Sequence, residues 1–507
     1  MRHTTGNLLL AIVLIAGALS ACAIRPSPLS DQQLDQIATS SLARVAQDQE
    51  AVGGSLSLHE AMARALKYNL DAKVEVMQRA LRTSELSLAH YNLLPNAVVS
   101  SGYAARDKYQ SLGELNLLTM RETGPRTTTQ ERKMLTSDLA FSWSILDFGL
   151  SFIRARQSAD RVLIAEEARR KVVQRVIEDI RTAYWRALSS QRMTQKLAEL
   201  EARTRKALAN ARWLQQKGDT SPITALTYER ELVEIQRTAQ ELQRELSVAK
   251  SQLVALMNVP PETHFSLSGA ELEAKPPHLD DDAVSMVEFA LNNRAEIRDI
   301  SYQKRINSHE AHAALLELLP GIQMYGGQNF DSNKYLMHDR WVTWGAKASW
   351  NVVRLFQYPA RRNVVDAQDK LLDARALALT MAIMTQVHVS RIRYHHVVKE
   401  LATAREYFNV QQRLVRQMRV EARAERISEQ TLIREEMNTL VAEAKRDIAF
   451  AAVQNAFANL HASVGIDPYV EGIDLALGVK ELGAQLRDYW LERGDFGGHG
   501  KIKIAAR

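Results

Sequence analysis

Between Gly149 and Gly218 the chain runs for 68 residues, Leu150 to Lys217, without a glycine or a proline. At about 1.5 Å per residue, a helix of that length is on the order of 100 Å long, several times the width of an ordinary globular core. Val173, Val176, Ile177, Ile180, Tyr184, Ala187 and Leu188 recur at three- and four-residue spacing, while Arg175, Glu178, Asp179, Arg181 and Arg186 fill the other faces. Such a rod needs partners along its whole length. Taken alone, it suits a generic coiled coil as well as any other long-helix fold.

The 507 residues include only 22 glycines and 12 prolines, clustered rather than spread, which argues for a few very long elements and a mostly α chain. A formal net charge of +6 is a mild excess for this length, and no basic run is interleaved with aromatics, so nucleic acid is not an expected partner. At the N-terminus Arg2 and His3 precede an apolar run, Leu8 to Leu19, too short to span a bilayer and suited to the core of a signal peptide. The run ends in Leu19-Ser20-Ala21-Cys22, and Cys22 is the only cysteine. This resembles the bacterial lipoprotein signal, which implies removal of residues 1–21 and lipidation of Cys22. Ala23 follows where lipoproteins of the inner membrane usually carry Asp, so the resemblance points to the outer membrane. With one cysteine no intrachain disulfide can form, and packing alone must hold the fold.

After a linker with Pro26 and Pro28, a helix is expected over about Asp31 to Gln49, interrupted by Gly53-Gly54. Ser57 and Glu60 have the spacing of a capping box and open a helix expected to reach about Asn92, before Leu93-Leu94-Pro95. The arrangement recurs. Ala65-Leu66-Lys67-Tyr68-Asn69 is echoed by Ala290-Leu291-Asn292-Asn293-Arg294, and Leu93-Leu94-Pro95 by Leu318-Leu319-Pro320, both 225 residues on. Ser142-Trp143-Ser144 matches Ser349-Trp350-Asn351, and Val259-Pro260-Pro261 matches Ile466-Asp467-Pro468, both 207 residues on. The chain is an internal duplication whose halves differ in length between the proline and the tryptophan.

Between those landmarks the period becomes strand-like. Leu139, Phe141, Trp143 and Ile145 alternate with Asp138, Ala140, Ser142 and Ser144; later Trp344, Ala346, Ala348, Trp350 and Val352 alternate with Thr343, Gly345, Lys347, Ser349 and Asn351. Strands are expected over about 96–106, 138–148, 321–330 and 342–353. A half-buried soluble sheet is one reading. Repeated tryptophans on the apolar side, with Lys347 on the polar side, suit a membrane wall with lipid on one face and water on the other. Four strands cannot close a membrane barrel, which starts at about eight, so several chains would have to share one. The loop of about Asp107 to Leu135, carrying Arg121, Arg126, Arg132 and Lys133, is long, and that of about Asp331 to Arg340 is short.

The first rod turns at Gly218-Asp219-Thr220-Ser221-Pro222 and is expected to return over about 223–258. In the second half, rods are expected over about 360–424 and 430–464, with a turn near Glu425 to Glu429 placed by its offset from the first. Residues 22–54 would be a lipid-anchored segment, 55–280 and 281–468 the two repeats, and 469–507 a C-terminal segment, with Gly494 to Arg507 disordered.

Ala-Leu-x-x-Asn at Ala65 to Asn69, Leu94-Pro95 and Leu319-Pro320 opening strands, Leu146-Asp147-Phe148-Gly149 leaving the sheet and Gly218-Asp219-Thr220-Ser221 at the rod turn occur in an order that resembles the TolC family of outer-membrane efflux proteins, over about Ser55 to Pro468. The resemblance implies a mainly α fold with a small membrane β-barrel: duplicated helix-strand-strand-helix halves, long antiparallel helices forming a periplasmic α-barrel, and four strands per chain in a shared homotrimeric barrel. It implies a passive conduit, not an enzyme, without cofactor or metal, working with a periplasmic adaptor (a membrane fusion protein) and an inner-membrane transporter.

The same resemblance places a ring of carboxylates just after the rod turns, as a gate that narrows the channel. The nearest positions are Glu435 and Glu436 and, in the first half, Asp219 and Glu229; Thr224 and Ala225 stand where the family often has an aspartate. The adaptor would meet the turns, at Gly218, Asp219, Thr220 and Ser221 and at Glu425, Arg426, Ile427 and Ser428. His388, His395 and His396 share a helical face at spacings that fit a polar surface better than a metal site. Two other classes stay open, a non-conducting envelope scaffold and a lipid-anchored periplasmic coiled-coil adaptor.

Overall fold

The computed structural model describes residues 27–496 apart from 46, 111, 218–220, 270–271, 280–281 and 470–471. Cys22 therefore lies outside the described residues, as do Gly218, Asp219 and Thr220. Contacts divide the chain into two units, Met1–Ala51 and Val52–Arg507. The first holds helix α1 (Asp31–Val45), none of whose residues is buried. It stops short of the expected Gln49.

The second unit opens with β1 (Ser55–Leu56) and α2 (Leu58–Tyr68), where Ser57 and Glu60 make the expected capping box. The helix does not run on to Asn92. It breaks at Asn69, whose extended backbone (φ −61°, ψ 129°) ends α2 and starts α3 (Leu70–Tyr91). The Asn69 carboxamide explains the break: its oxygen accepts from the Ala72 N–H at 3.1 Å and its nitrogen donates to the Leu256 carbonyl at 2.9 Å.

The strands β2 (Asn96–Ala105), β3 (Leu112–Asn116), β4 (Arg121–Thr127) and β5 (Lys133–Ser144) follow, then helices α4 (Ile145–Lys217) and α5 (Pro222–Leu256) and strand β6 (Ser266–Leu267). The second copy comprises α6 (Ala283–Asn293), α7 (Ala295–Leu316), β7 (Gly321–Asp331), β8 (Arg340–Ser349), α8 (Val353–Arg423) and α9 (Glu429–Ser463), with α10 (Val479–Glu492) behind it. The bounds of α6 and α7 repeat those of α2 and α3 at the offset of 225, and those of α9 repeat α5 at 207. Bonds repeat too. Arg294, the counterpart of Asn69, donates to the carbonyl of Ser463, the counterpart of Leu256, at 3.3 Å. After α5 and α9 the chain leaves through equivalent left-handed residues, Asn258 (φ 52°) and Gly465 (φ 80°).

β2, β5, β7 and β8 form one antiparallel sheet in that order. Three expectations are corrected here. β5 begins at Lys133 and ends at Ser144, so Ile145 opens α4, and the rod includes Gly149 rather than starting after it. One interior glycine costs a helix only about 1 kcal/mol, too little to stop a rod packed along its length. β8 ends at Ser349, so Trp350 leaves the ladder; its indole N–H donates to the Leu318 carbonyl at 3.0 Å, at the joint between sheet and helix. The long first loop contains a hairpin, β3 on β4, whose tip exposes Leu117, Leu118 and Met120.

Rod α8 starts at Val353 and runs through Pro359, against an expected start near 360. Pro359 lies in the second turn, where the missing N–H forfeits one helical bond near the end. The core lies where α2, α4, α8, α9 and α10 meet: Ile180, Tyr184, Trp185, Phe450, Phe457 and Trp490 are fully or nearly fully buried there. The Tyr184 hydroxyl lies within hydrogen-bond distance of the carbonyls of Leu56 and Ser268, with its single proton shared between them, and pins the parallel β1–β6 pair across the rod. The disorder expected from Gly494 is corrected for residues 494–496. Asp495 and Phe496 are buried, because Asp495 meets the otherwise unneutralised guanidinium of Arg181. Residues 497–507 lie outside the described part.

Candidate functional site: the free edges of the wall and the rod turns

Helices and strands share one order. α3 packs on α4, α4 on α7 and α7 on α8, while the strands they lead into or out of run β2, β5, β7, β8. Both rows therefore end at the same places, β2 with α3 and β8 with α8. Neither end is finished within the chain. Among the described residues, β2 and β8 each have one unpaired edge of about ten residues. Among the exposed side chains of α3 are Leu70, Val74, Met77, Leu81, Leu88 and Tyr91, at heptad positions interrupted only at Ser84; on α8 Val364, Leu371, Met381 and Ile392 lie at heptad positions that also include Thr385 and His388. Apolar heptad seams and open ladders are structures that bind a neighbour.

The register separates the two faces of the sheet. Val99, Leu139, Gln328 and Val342 form one row, and Ala97, Phe141, Gly326 and Trp344 the next on the same face. Phe148 meets Trp143 edge-on at 5.5 Å, below that face. The opposite face carries Ser142, Asp138, Thr136, Gln323, Asn329, Thr343 and Lys347. The alternation read for β5 and β8 gives the sheet a mostly apolar side and a mostly polar one, while β2 and β7 are less regular, with Ser101 and Gln328 on the apolar side and Val98 and Tyr325 on the polar side.

Toward the far end of the rods α5 and α9 meet. Glu231 on α5 accepts from Gln430 on α9 at 2.8 Å and lies 3.7 Å from Arg434. In the second turn Glu425 has φ 56°, the left-handed conformation glycine adopts freely, and by the 207 offset it stands where the first half has Gly218. Arg426 reaches back to Glu421 at 3.3 Å, Ile427 is half-buried, and the Ser428 hydroxyl caps α9 by accepting from the Thr431 N–H at 3.2 Å. Ser221 caps α5 without a side-chain bond, and Pro222 takes the first helical position.

Among the described residues, each carboxylate proposed for a gate has polar partners within the chain. Glu436 is buried between Arg203 of α4 and Arg419 of α8, accepting from both, the second at 2.9 Å. Glu435 is half-buried and accepts from Gln411 at 2.8 Å and Asn438 at 3.2 Å. Glu229 accepts from Arg212 at 2.6 Å, across its own hairpin. A cavity of about 450 Å³ beside Glu436 lies between α4, α8 and α9; Lys196, Arg203, Arg416, Arg419 and Glu443 line it. Sequence reasoning missed the basic partners. Arg419 and Glu436 sit on opposite sides of the turn, so a hairpin register would have paired them, but Arg203 belongs to the other half of the duplication.

No protein-family model and no curated protein matches this sequence. Solved structures do. CusC, described in connection with transmembrane channel formation, superposes with a TM-score of 0.62 at 13% identity, over 83% of this chain and 96% of that one. The CmeC outer membrane channel of Campylobacter jejuni gives 0.61 at 13% identity, over 92% and 98%. The MtrE outer membrane channel of Neisseria gonorrhoeae, in its open state, gives 0.60 at 13%, over 81% and 89%.

The chain has the fold of these outer-membrane channels. The resemblance drawn from the short motifs is met at the level of the fold, over nearly the full length of each neighbour. At these identities the likeness concerns architecture and leaves individual side chains to be read from this chain alone.

Proposed function

We propose that three copies of this chain close edge to edge, β8 and α8 of one against β2 and α3 of the next, into a passive conduit through the outer membrane. The single observation that carries this reading is the coincidence of the two open ladder edges with the two exposed heptad seams. A strand edge left unpaired in lipid is costly, and only closure removes it. Three copies supply twelve strands, within the range of closed membrane barrels. The apolar face of the sheet then meets lipid and the polar face lines water.

In this reading the lipid on Cys22 anchors the chain to the outer membrane, and the rods reach into the periplasm. The turns around Ser221 and Glu425 to Ser428 meet a periplasmic adaptor that joins the conduit to an inner-membrane transporter of an efflux or secretion system. The chain does no bond chemistry of its own. Glu435, less enclosed by cations than Glu436, is the better candidate for a charge that faces the passage.

The test is the state of the protein in membranes. Amine crosslinking of membrane fractions is expected to give a ladder ending at three chains, and extraction to require detergent. Crosslinking that stops at one chain contradicts the reading and favours a lipid-anchored periplasmic adaptor.

A further inference from the structure

Two rows of the sheet put an aromatic on the polar face, one holding Tyr325 and the other Trp341. Ser100, Asp138, Asn329 and Trp341 are successive partners across β2, β5, β7 and β8, so all four share the polar face. Trp341 is 41% exposed in the single chain. The Ser100 hydroxyl donates to the Asp138 carboxylate at 3.4 Å, and Asn329 donates to Thr343 at 3.0 Å. Neither group cancels the charge. Lys347, a basic residue of the same face, lies six positions nearer the helices, about 20 Å along the strand.

With strands about 4.8 Å apart, Asp138 and Trp341 stand about 10 Å from each other across Asn329. That gap suits a cation with a flat apolar part, since the carboxylate attracts the charge and the indole face takes either a cation or a ring. In a closed wall the row repeats in every copy, and Trp341, on an edge strand, also comes close to the next copy's row. Tyr325, on the same face two rows nearer the helices, lies against Gly345, where a Cβ would be 2.6 Å from its hydroxyl oxygen. Trp341 has no such glycine opposite it, because its partner is Asn329.

We propose that Asp138 and Trp341 together form a binding site for aromatic organic cations on the polar wall, selecting them over anions as they leave the channel. The inference rests on the channel reading given above. Its test is block of single-channel current by benzyltrimethylammonium added at the outer mouth, with tetramethylammonium and benzenesulfonate as controls. Wild type is expected to be blocked by the aromatic cation at much lower concentration than by either control. Trp341→Ala and Asp138→Asn are each expected to raise the half-blocking concentration about 3- to 30-fold, the range of a cation–π contact. Trp341→Phe is expected to keep most of the block and all variants to keep the crosslinked trimer, with block read in each variant against its own current before the blocker is added. Equal block by benzenesulfonate, no block of wild type, or unchanged block in Trp341→Ala overturns the site while leaving the channel standing. Absence of any conductance removes the channel reading, and the site with it.

Discussion

Arg181 on rod α4 and Asp495, just past α10, form a fully buried ion pair, with the guanidinium Nη2 2.5 and 2.6 Å from the two carboxylate oxygens. Gln454 accepts from the same guanidinium at 3.0 Å, and Trp490 and Phe457 lie against it at 4.7 and 5.2 Å. The end of the described chain is thereby fastened to both halves of the duplication. Removing one partner of such a pair leaves a bare charge in the core, so Asp495→Asn is expected to cost about 3–5 kcal/mol. Arg181→Met with Asp495→Asn is expected to recover much of that loss. Denaturation midpoints of the two single variants and the double variant, read as a cycle, check this; additive effects would contradict it.

His461 is buried beside the same cluster. Burial lowers its pKa to about 4, although its ring Nδ1–H donates to the Phe457 carbonyl at 2.9 Å. The unfolded chain binds this proton near the ordinary value of about 6.5, so the unfolded state gains protons first as pH falls. Stability from this group is complete above about pH 6.5 and declines toward pH 4, by up to about 3 kcal/mol. Asp495, held well below the usual carboxylate range by Arg181 and His59 against the opposing effect of burial, contributes its loss only in stronger acid, below about pH 4. Thermal melts between pH 7 and 4 are expected to fall in wild type and to flatten in a His461→Phe variant.

Glu436, between Arg203 and Arg419, is a fastening of α9 to both long rods more than a cation site. Because both arginines are about half exposed, solvent screens the pair and the loss on Glu436→Gln is modest, on the order of 1 kcal/mol. Limited proteolysis at the rod turns is expected to speed up in Glu436→Gln and not in Glu435→Gln. Block of the conduit by divalent cations is expected to respond in the opposite way, weakening in Glu435→Gln.

Val74 and Leu81 on α3 are exposed in the single chain and belong to its apolar seam. A Val74→Lys/Leu81→Lys variant is expected to fold with nearly unchanged helix content, since surface changes move protomer stability by about 0.5 kcal/mol or less. The crosslinked trimer is expected to drop at least about tenfold, because each lysine would be buried without a partner at the seam. Trimers at the wild-type level would place the contact elsewhere.

The long elements were legible in the sequence because the duplication doubles each landmark. Proline at 95 and 320 and tryptophan at 143 and 350 fixed the offsets that the helix bounds then follow. What escaped was local. Asn69 and Arg294 break their helices by bonding to carbonyls nearly 190 and 170 residues away, contacts no local pattern carries. Glu425 turns the chain in a conformation glycine prefers, so composition does not mark it. The hairpin β3–β4 lacks a regular alternation, and its apolar tip reads as strand no better than as loop. Ion-pair partners crossing between halves, such as Arg203 with Glu436, depend on packing that periodicity does not encode.

The free edges of β2 with α3 and of β8 with α8 carry the whole account, and conduction is what their closure should produce. The most direct measurement is the current through the purified full-length protein in a planar lipid bilayer. Discrete single-channel steps, lost at the temperature that dissociates the crosslinkable trimer, are the predicted result. Intact, membrane-embedded trimers that pass no current, and still pass none after Glu435→Gln, would contradict a conduit and leave a scaffold.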